Sequence, residues 1–206
     1  FNAKIDGFEA ADCVQLKVNG KTLSFSKIVS TIPAHKLYSY VGGHLSDLLK
    51  LINYSPIALQ NVIMKKSELN FDGFGFLVPS KEKSVVLGMV ANTNTFPEHS
   101  SGDVEVNTIM MGGARFSADD LKTMDLETES ATFLSKVFGR NLSLNYSELK
   151  LVEKAIPQYE LGHLDKVSEI ERTCPVGLTI LGNYMYGVSL IDIISKSKEL
   201  AKEFIK

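Results

Sequence analysis

From Ala3 to Phe25 apolar and polar residues alternate with the two-residue period of a strand. "AKIDGF" is followed by "CVQLKV", then Asn19-Gly20, then "KTLSF", the spacing of a two-residue hairpin. "KIVSTIP" (Lys27–Pro33) is a further apolar run, ended by a proline. The period then lengthens, and Leu45, Leu48, Leu49 and Ile52 recur on one face of a helix expected between His44 and Asn53. Strand patterns return in "IALQNVIMKK", "FGFLVPS", "SVVLGMVANTN" and "VEVNTIMMGG". Their connections are short and carry Gly, Asp and Pro, as between antiparallel neighbours. Ser117-Ala-Asp-Asp120 has the spacing of a capping box, and predicts a helical region running to Gly139 with a break near Met124. "LKLVEKAIPQY" reads as a strand, Leu164–Arg172 as a helix and "GLTILGN" as a short buried strand.

The last helix follows a short aromatic turn. Ser189 suits its N-cap and Asp192 stands three positions on, while Leu190, Ile193, Ile194, Leu200, Ala201 and Phe204 form an apolar stripe. Lys196, Lys198, Lys202 and Lys206 populate its C-terminal half, where the helix dipole favours them. A helix start carries unpaired N–H groups and suits an anion; Gly182 and Gly187 on either side of the turn would let the backbone approach a ligand. Sheet, strand block, helices, sheet and helix follow in that order. This predicts an α+β module inserted between the pieces of a second, interrupted domain, with the two ends completing each other.

Composition narrows the function classes. The 206 residues are 44% hydrophobic and 22% charged, with a formal charge of −2, which leaves no electrostatic footprint for nucleic acid. The arginines are only Arg115, Arg140 and Arg172, so bidentate carboxylate clamps are scarce. Cys13 and Cys174 are far apart and outside any CxxC, and are expected to be reduced buried thiols. His35, His44, His99 and His163 lack metal-ligand spacing. Asp119-Asp120 and Glu127/Glu129 read as a solvated helix face. No HExxH, EF-hand loop, Walker A or GxSxG occurs, and Gly73-Phe-Gly75 begins a dinucleotide fingerprint without its third glycine or helix. The sequence holds no nucleophile-and-base constellation and no metal site, so any difficult chemistry belongs to a cofactor. The chain opens on Phe1 directly into a strand pattern, as a piece of something longer would.

"GFGFLVPSKE" (Gly73–Glu82), "VLGMVANTNTFPEHS" (Val86–Ser100), "NTIMMGG" (Asn107–Gly113), "AIPQYELGH" (Ala155–His163) and "LTILGNYMYGVSL" (Leu178–Leu190) occur in this order. Together they resemble the C-terminal half of the oxygen-dependent, FAD-containing protoporphyrinogen oxidases. "KIVSTIPAHKL" is similar to the strand-to-"IPA" segment of the wider flavin amine oxidase superfamily. The resemblance implies a fold class of mixed α+β / α/β type: an antiparallel-sheet substrate-binding domain (36–160) plus C-terminal pieces of a Rossmann-like FAD-binding domain (1–35 and 161–206). It implies an oxidoreductase of heme and porphyrin biosynthesis. The reaction would be the six-electron oxidation of protoporphyrinogen IX, or of coproporphyrinogen III, in flavin-mediated steps with O2 as acceptor. Matched residue by residue, Ile5, Asn183, Val188, Ser189 and Leu190 would contact FAD, and Phe74, Leu77, Val90 and Met110 would line the tetrapyrrole slot. No catalytic side chain is implied.

The family's GxGxxG half, its propionate-pairing arginine and its membrane-associating helical segment have no counterpart here, and Ile191 stands where many relatives have a small residue. The chain alone is therefore expected to be inactive, to need its missing N-terminal half as partner, and to self-associate through exposed apolar surface. The parent is expected in the cytoplasm or peripheral to a membrane. An alternative is a non-catalytic tetrapyrrole-binding or partner-docking module that lost the flavin half; another is a flavin amine oxidase or desaturase with a different substrate.

Overall fold

The computed structural model describes residues 3–10, 14–100, 102–142, 144 and 146–204. Phe1, Cys13 and Lys206 lie outside the described residues, and so does the side chain of His99. The first stretch contains β1 (Ile5–Ala10), β2 (Val14–Val18), β3 (Lys21–Phe25), β4 (Ile28–Ser30), α1 (Ala34–Leu37) and α2 (Gly43–Lys50). The middle contains β5 (Tyr54–Lys65), α3 (Lys66–Leu69), β6 (Gly75–Leu77), β7 (Val86–Ala91), α4 (Asn92–Thr95), β8 (Val104–Gly112), α5 (Ala118–Thr123), α6 (Leu126–Phe138) and β9 (Tyr146–Pro157). The last stretch contains α7 (His163–Thr173), β10 (Leu178–Ile180), α8 (Asn183–Tyr186) and α9 (Leu190–Phe204). No helix among the described residues is long and apolar enough to cross a membrane.

These elements gather into two compact units. The first takes in Phe1–Asn53 and Pro157–Lys206, the second Tyr54–Ile156. Residues 36–53 thus group with the chain ends and not with the strand block, where the sequence places them. The reason is packing: Leu45, Leu48 and Leu49 are buried on α2, which packs against α1 and α7 of the same unit.

In the first unit, β1, β2 and β3 form an antiparallel sheet. Asn19 and Gly20 join β2 to β3 with φ of 50° and 75°, the left-handed pair that a two-residue hairpin requires. The pieces from the two ends meet in a parallel pair, with Ile28 opposite Leu178 and Ser30 opposite Ile180. That pairing joins strands from the two stretches of this unit. Burial of Leu178, Ile180, Tyr184 and Met185 fixes the 178–186 segment against its own unit.

In the second unit, five strands run in the order β6-β7-β8-β5-β9. Alternation along β8 separates the two faces: Asn107, Ile109 and Met111 are buried, while Val106, Thr108 and Met110 are half-buried. The buried face meets α5 and α6, which contribute Leu121, Leu126 and Leu134 to a core with Ala58, Met64 and Met89. Full burial of such a side chain stabilises by about 1.5–3 kcal/mol, so this face, not the open one, holds the sheet together. Gln60 is also fully buried there and is satisfied: its Nε2 donates to Ser147 Oγ at 2.9 Å and its Oε1 accepts from Ser130 Oγ at 2.5 Å. The predicted capping box is present, with Asp120 N–H donating to Ser117 Oγ at 3.0 Å and Ser117 N–H donating to Asp120 Oδ2 at 2.8 Å. Met124 is extended and ends α5; Asp125 caps α6, which closes on Gly139.

Candidate functional site

Ile5 aside, the residues singled out from the sequence fall on two surfaces, one in each unit. On the sheet of the second unit, Leu77 of β6 lies opposite Gly88 of β7, Gly88 opposite Met110 of β8, and Met110 opposite Leu59 of β5. The neighbouring row runs from Gly75 through Val90 and Thr108 to Asn61. Strand alternation puts both rows on the open face, away from the helices. Leu77, Val90 and Met110 therefore do share a surface. Leu77 is 82% exposed and Val90 and Met110 are half-buried; Phe74, just before β6, is 69% exposed.

Sequence reasoning missed what lies between these side chains. Gly88 places no atom between Leu77 and Met110, and a Cβ there would come within 2.4 Å of the Phe76 carbonyl oxygen. Leu77 can lean over the vacant position only because it is a glycine. The result is a mainly apolar floor. Its polar edge is pinned: Asn92 Nδ2 donates to Thr108 Oγ1 at 2.7 Å, and Thr108 Oγ1 donates to Asn61 Oδ1 at 2.8 Å. Between β6 and β5 neither row carries a titratable side chain. Pairing "GFL" with "VLGMV" in antiparallel register would have brought Gly88 opposite Leu77, so the signal was present in the spacing.

The second surface is the turn that leads into α9. Val188 and Leu190 are 56% and 81% exposed, and Ser189 is exposed between them. Ser189 caps the helix, its Oγ accepting from Asp192 N–H at 3.1 Å. The N–H groups of Leu190 and Ile191 belong to the first turn and have no acceptor within the helix. The two glycines serve a different purpose from the one expected. A Cβ on Gly182 would meet the Tyr184 ring at 2.6 Å, and one on Gly187, which has a φ of 118°, would meet Asp192 Oδ2 at 2.4 Å. Contacts within the chain already occupy the space above both. The apolar stripe of α9 also departs from expectation: no described residue of this helix is buried, and Leu190, Ile191 and Ile194 stand exposed.

Tyr159 and His163 brace this turn from the "IPQYELGH" segment. Tyr159 Oη donates to the Asn183 carbonyl at 2.5 Å and accepts from Gly187 N–H at 2.8 Å. His163 is buried, stacks on Tyr159 at 4.0 Å, and its Nε2 donates to the Tyr184 carbonyl at 3.0 Å. Burial raises the Tyr159 hydroxyl above its ordinary pKa; the Gly187 N–H pulls it down and the Asp192 charge pushes it up again. The phenol consequently stays protonated and able to donate. Cys174 is free and its thiol is pushed up to about 11, first by burial and then by the Glu171 charge, which makes it a poor nucleophile. Ile5, half-buried at the start of β1, stands apart from the turn, in the wall of an apolar cavity of about 250 Å³ shared with Phe8, Leu16, Ile28 and Leu178.

No protein-family profile matches the chain. A protoporphyrinogen oxidase of Dictyostelium discoideum is 30% identical over 219 residues, an alignment covering 88% of this chain and 41% of that protein. The Bos taurus protoporphyrinogen oxidase is 28% identical, with 91% of this chain and 42% of that protein covered. Among solved structures, a protein of Exiguobacterium sp. 255-15 assigned as a protoporphyrinogen oxidase superposes with a TM-score of 0.80 at 20% identity, over 98% of this chain and 46% of that one. A redesigned putrescine oxidase shares the fold at a TM-score of 0.75 and 13% identity, over 99% of this chain and 48% of that one. The chain spans about two-fifths of the length of the curated relatives it matches. The chain is thus similar to a C-terminal portion of the protoporphyrinogen oxidases, and shares its fold with that part of other oxidases.

Proposed function

We propose that the whole protein is an FAD-dependent oxidase that converts protoporphyrinogen IX, or coproporphyrinogen III, into the porphyrin with O2 as final acceptor. The observation that carries this function is the 30% identity to a protein named protoporphyrinogen oxidase across 88% of the chain. The apolar floor supports it. A macrocycle wants broad apolar contact with few polar anchors, and Leu77, Val90 and Met110, spaced by Gly88 and neighboured by Phe74, offer that contact. Between β6 and β5 the two rows carry no titratable group, so this part of the floor contributes shape and exclusion of water.

The start of α9 is of a kind that fits FAD. Exposed apolar residues flank first-turn N–H donors that have no partner inside the helix, and such donors suit the phosphates or ring carbonyls of a dinucleotide. Val188, Ser189 and Leu190 would contact the cofactor there, Asn183 just before them, and Ile5 would serve its adenine end. Bound FAD supplies the hydride acceptor. In this assignment the first unit contributes FAD-domain pieces and the second unit is the substrate-binding domain; the 206-residue chain turns nothing over by itself.

The test is an absorption spectrum of the full-length protein purified without added cofactor, followed by anaerobic addition of protoporphyrinogen IX or coproporphyrinogen III. The expected result is flavin bands that bleach on mixing and return on admitting air, with the faster substrate identifying the porphyrinogen. A colourless protein that binds porphyrin without oxidising porphyrinogen would overturn the oxidase and leave a tetrapyrrole-binding module.

A further inference from the structure

Tyr159 and His163 hold the Asn183–Gly187 turn at three backbone atoms. The Tyr159 hydroxyl spans the turn from its first residue to its last, joining the Asn183 carbonyl to the Gly187 N–H. His163 fixes the carbonyl of Tyr184, and its ring lies against that of Tyr159 with 18° between their planes. The four-residue helix α8 makes few bonds of its own, with Met185 N–H and Tyr186 N–H both directed to the Gly182 carbonyl at 2.9 and 3.4 Å. A helix this short has little intrinsic stability, so side chains from outside it must set its conformation. The turn in turn sets α9: the Asp192 carboxylate is packed against Gly187, and Ser189, two residues on, caps the helix.

We infer that Tyr159 and His163 are positioning residues for the flavin, holding the 183–187 turn so that the first turn of α9 is presented in its binding-competent conformation. The inference rests on the proposed FAD contact at Val188–Leu190 and adds the device that makes it. His163 is buried, and the Tyr159 hydroxyl is engaged by the turn on both its donor and its acceptor side, so both act through the backbone they grip. A turn released from them samples other conformations, and the apparent affinity for a ligand falls in proportion to the competent fraction.

The test uses the full-length protein, stripped of flavin and titrated with FAD. Tyr159→Phe keeps the ring against His163 and removes both hydroxyl bonds. Two bonds of ordinary net strength correspond to a rise in the FAD dissociation constant of roughly thirtyfold. The bound flavin's visible circular dichroism should change with it, while the melting temperature of the flavin-free protein stays near the wild-type value. Tyr146→Phe, which removes an exposed phenol from the other unit, should bind FAD as the wild type does. His163→Gln, whose amide can reach the Tyr184 carbonyl, should retain affinity that His163→Ala loses. Wild-type affinity and dichroism in Tyr159→Phe would overturn the inference and leave the oxidase standing, as would a loss of affinity matched by an equal loss of stability in the flavin-free protein. A full-length protein that binds no flavin in any version would overturn both together.

Discussion

Glu105 sits on the helix-covered face of β8, opposite Met64 and only 7% exposed. Burial holds its carboxyl above the usual glutamate range, and the charge of Lys66 draws it partway back. Because the folded-state pKa is the higher one, the folded protein binds this proton more tightly than the unfolded chain does. The stability it contributes is therefore present below the ordinary glutamate value and is lost as pH rises from there through the folded value. Glu105→Gln keeps the shape and removes the titration. It should melt higher than the wild type at neutral pH, with the gap narrowing toward acid, in thermal melts taken from about pH 4 to pH 8. An unchanged gap across that range would sink the assignment. Single residues were the least legible scale in the sequence. Tyr159 and His163 stood out only as letters in a family motif, because what they do is bond to carbonyls and an N–H some twenty to thirty positions away. Backbone partners leave no mark on residue identity.

At the scale of elements, β6 is three residues long and sits at the edge of its sheet, held by β7 alone. Gly88→Ala drives a Cβ against the Phe76 carbonyl, with no flexible side chain to yield. Overpacking of this kind costs about 1–3 kcal/mol. The expected outcome is a lower denaturant midpoint at unchanged slope and, in the whole protein, weaker porphyrin binding through displacement of Leu77. Full porphyrin affinity in this variant would separate the floor from the binding site. Much at this scale was legible: the Asn19-Gly20 hairpin, the Ser117 box, the break at Met124 and the α2 stripe are all local physics. "SVVLGMVANTN" reads as one strand but stops at Ala91. There Asn92 bonds to Thr108, and Thr93 Oγ1 accepts from Val106 N–H at 2.8 Å, so side chains replace the ladder. The exposed stripe of α9 was illegible for another reason. Periodicity shows that a helix has an apolar side, and says nothing of what covers it.

Across the whole molecule, the chain enters the second unit through β5 and leaves it through β9, which are neighbours in the sheet. Ser55 Oγ reaches the Ile156 carbonyl at 3.5 Å, so the unit's two ends lie side by side. With its own core and adjacent ends, residues 54–156 should fold when expressed alone, giving one cooperative melt and a sheet-rich circular dichroism spectrum. A non-cooperative transition would show that the core is not self-sufficient. Nothing local to 36–53 reveals that α2 packs on α7, so its grouping with residues 157–206 is not legible in its own pattern.

The parallel pair of β4 and β10 also carries a history. Translation delivers Ile28 to the solvent long before Leu178 exists, with every residue of the strand block made in between. During that interval β4 is an apolar strand without its mate, open to any other strand that passes. The second unit can be finished first; the first cannot begin to close its parallel pair until Leu178 has been made. In the order of its birth, the unit that holds both strands of this pair closes after the one made between them.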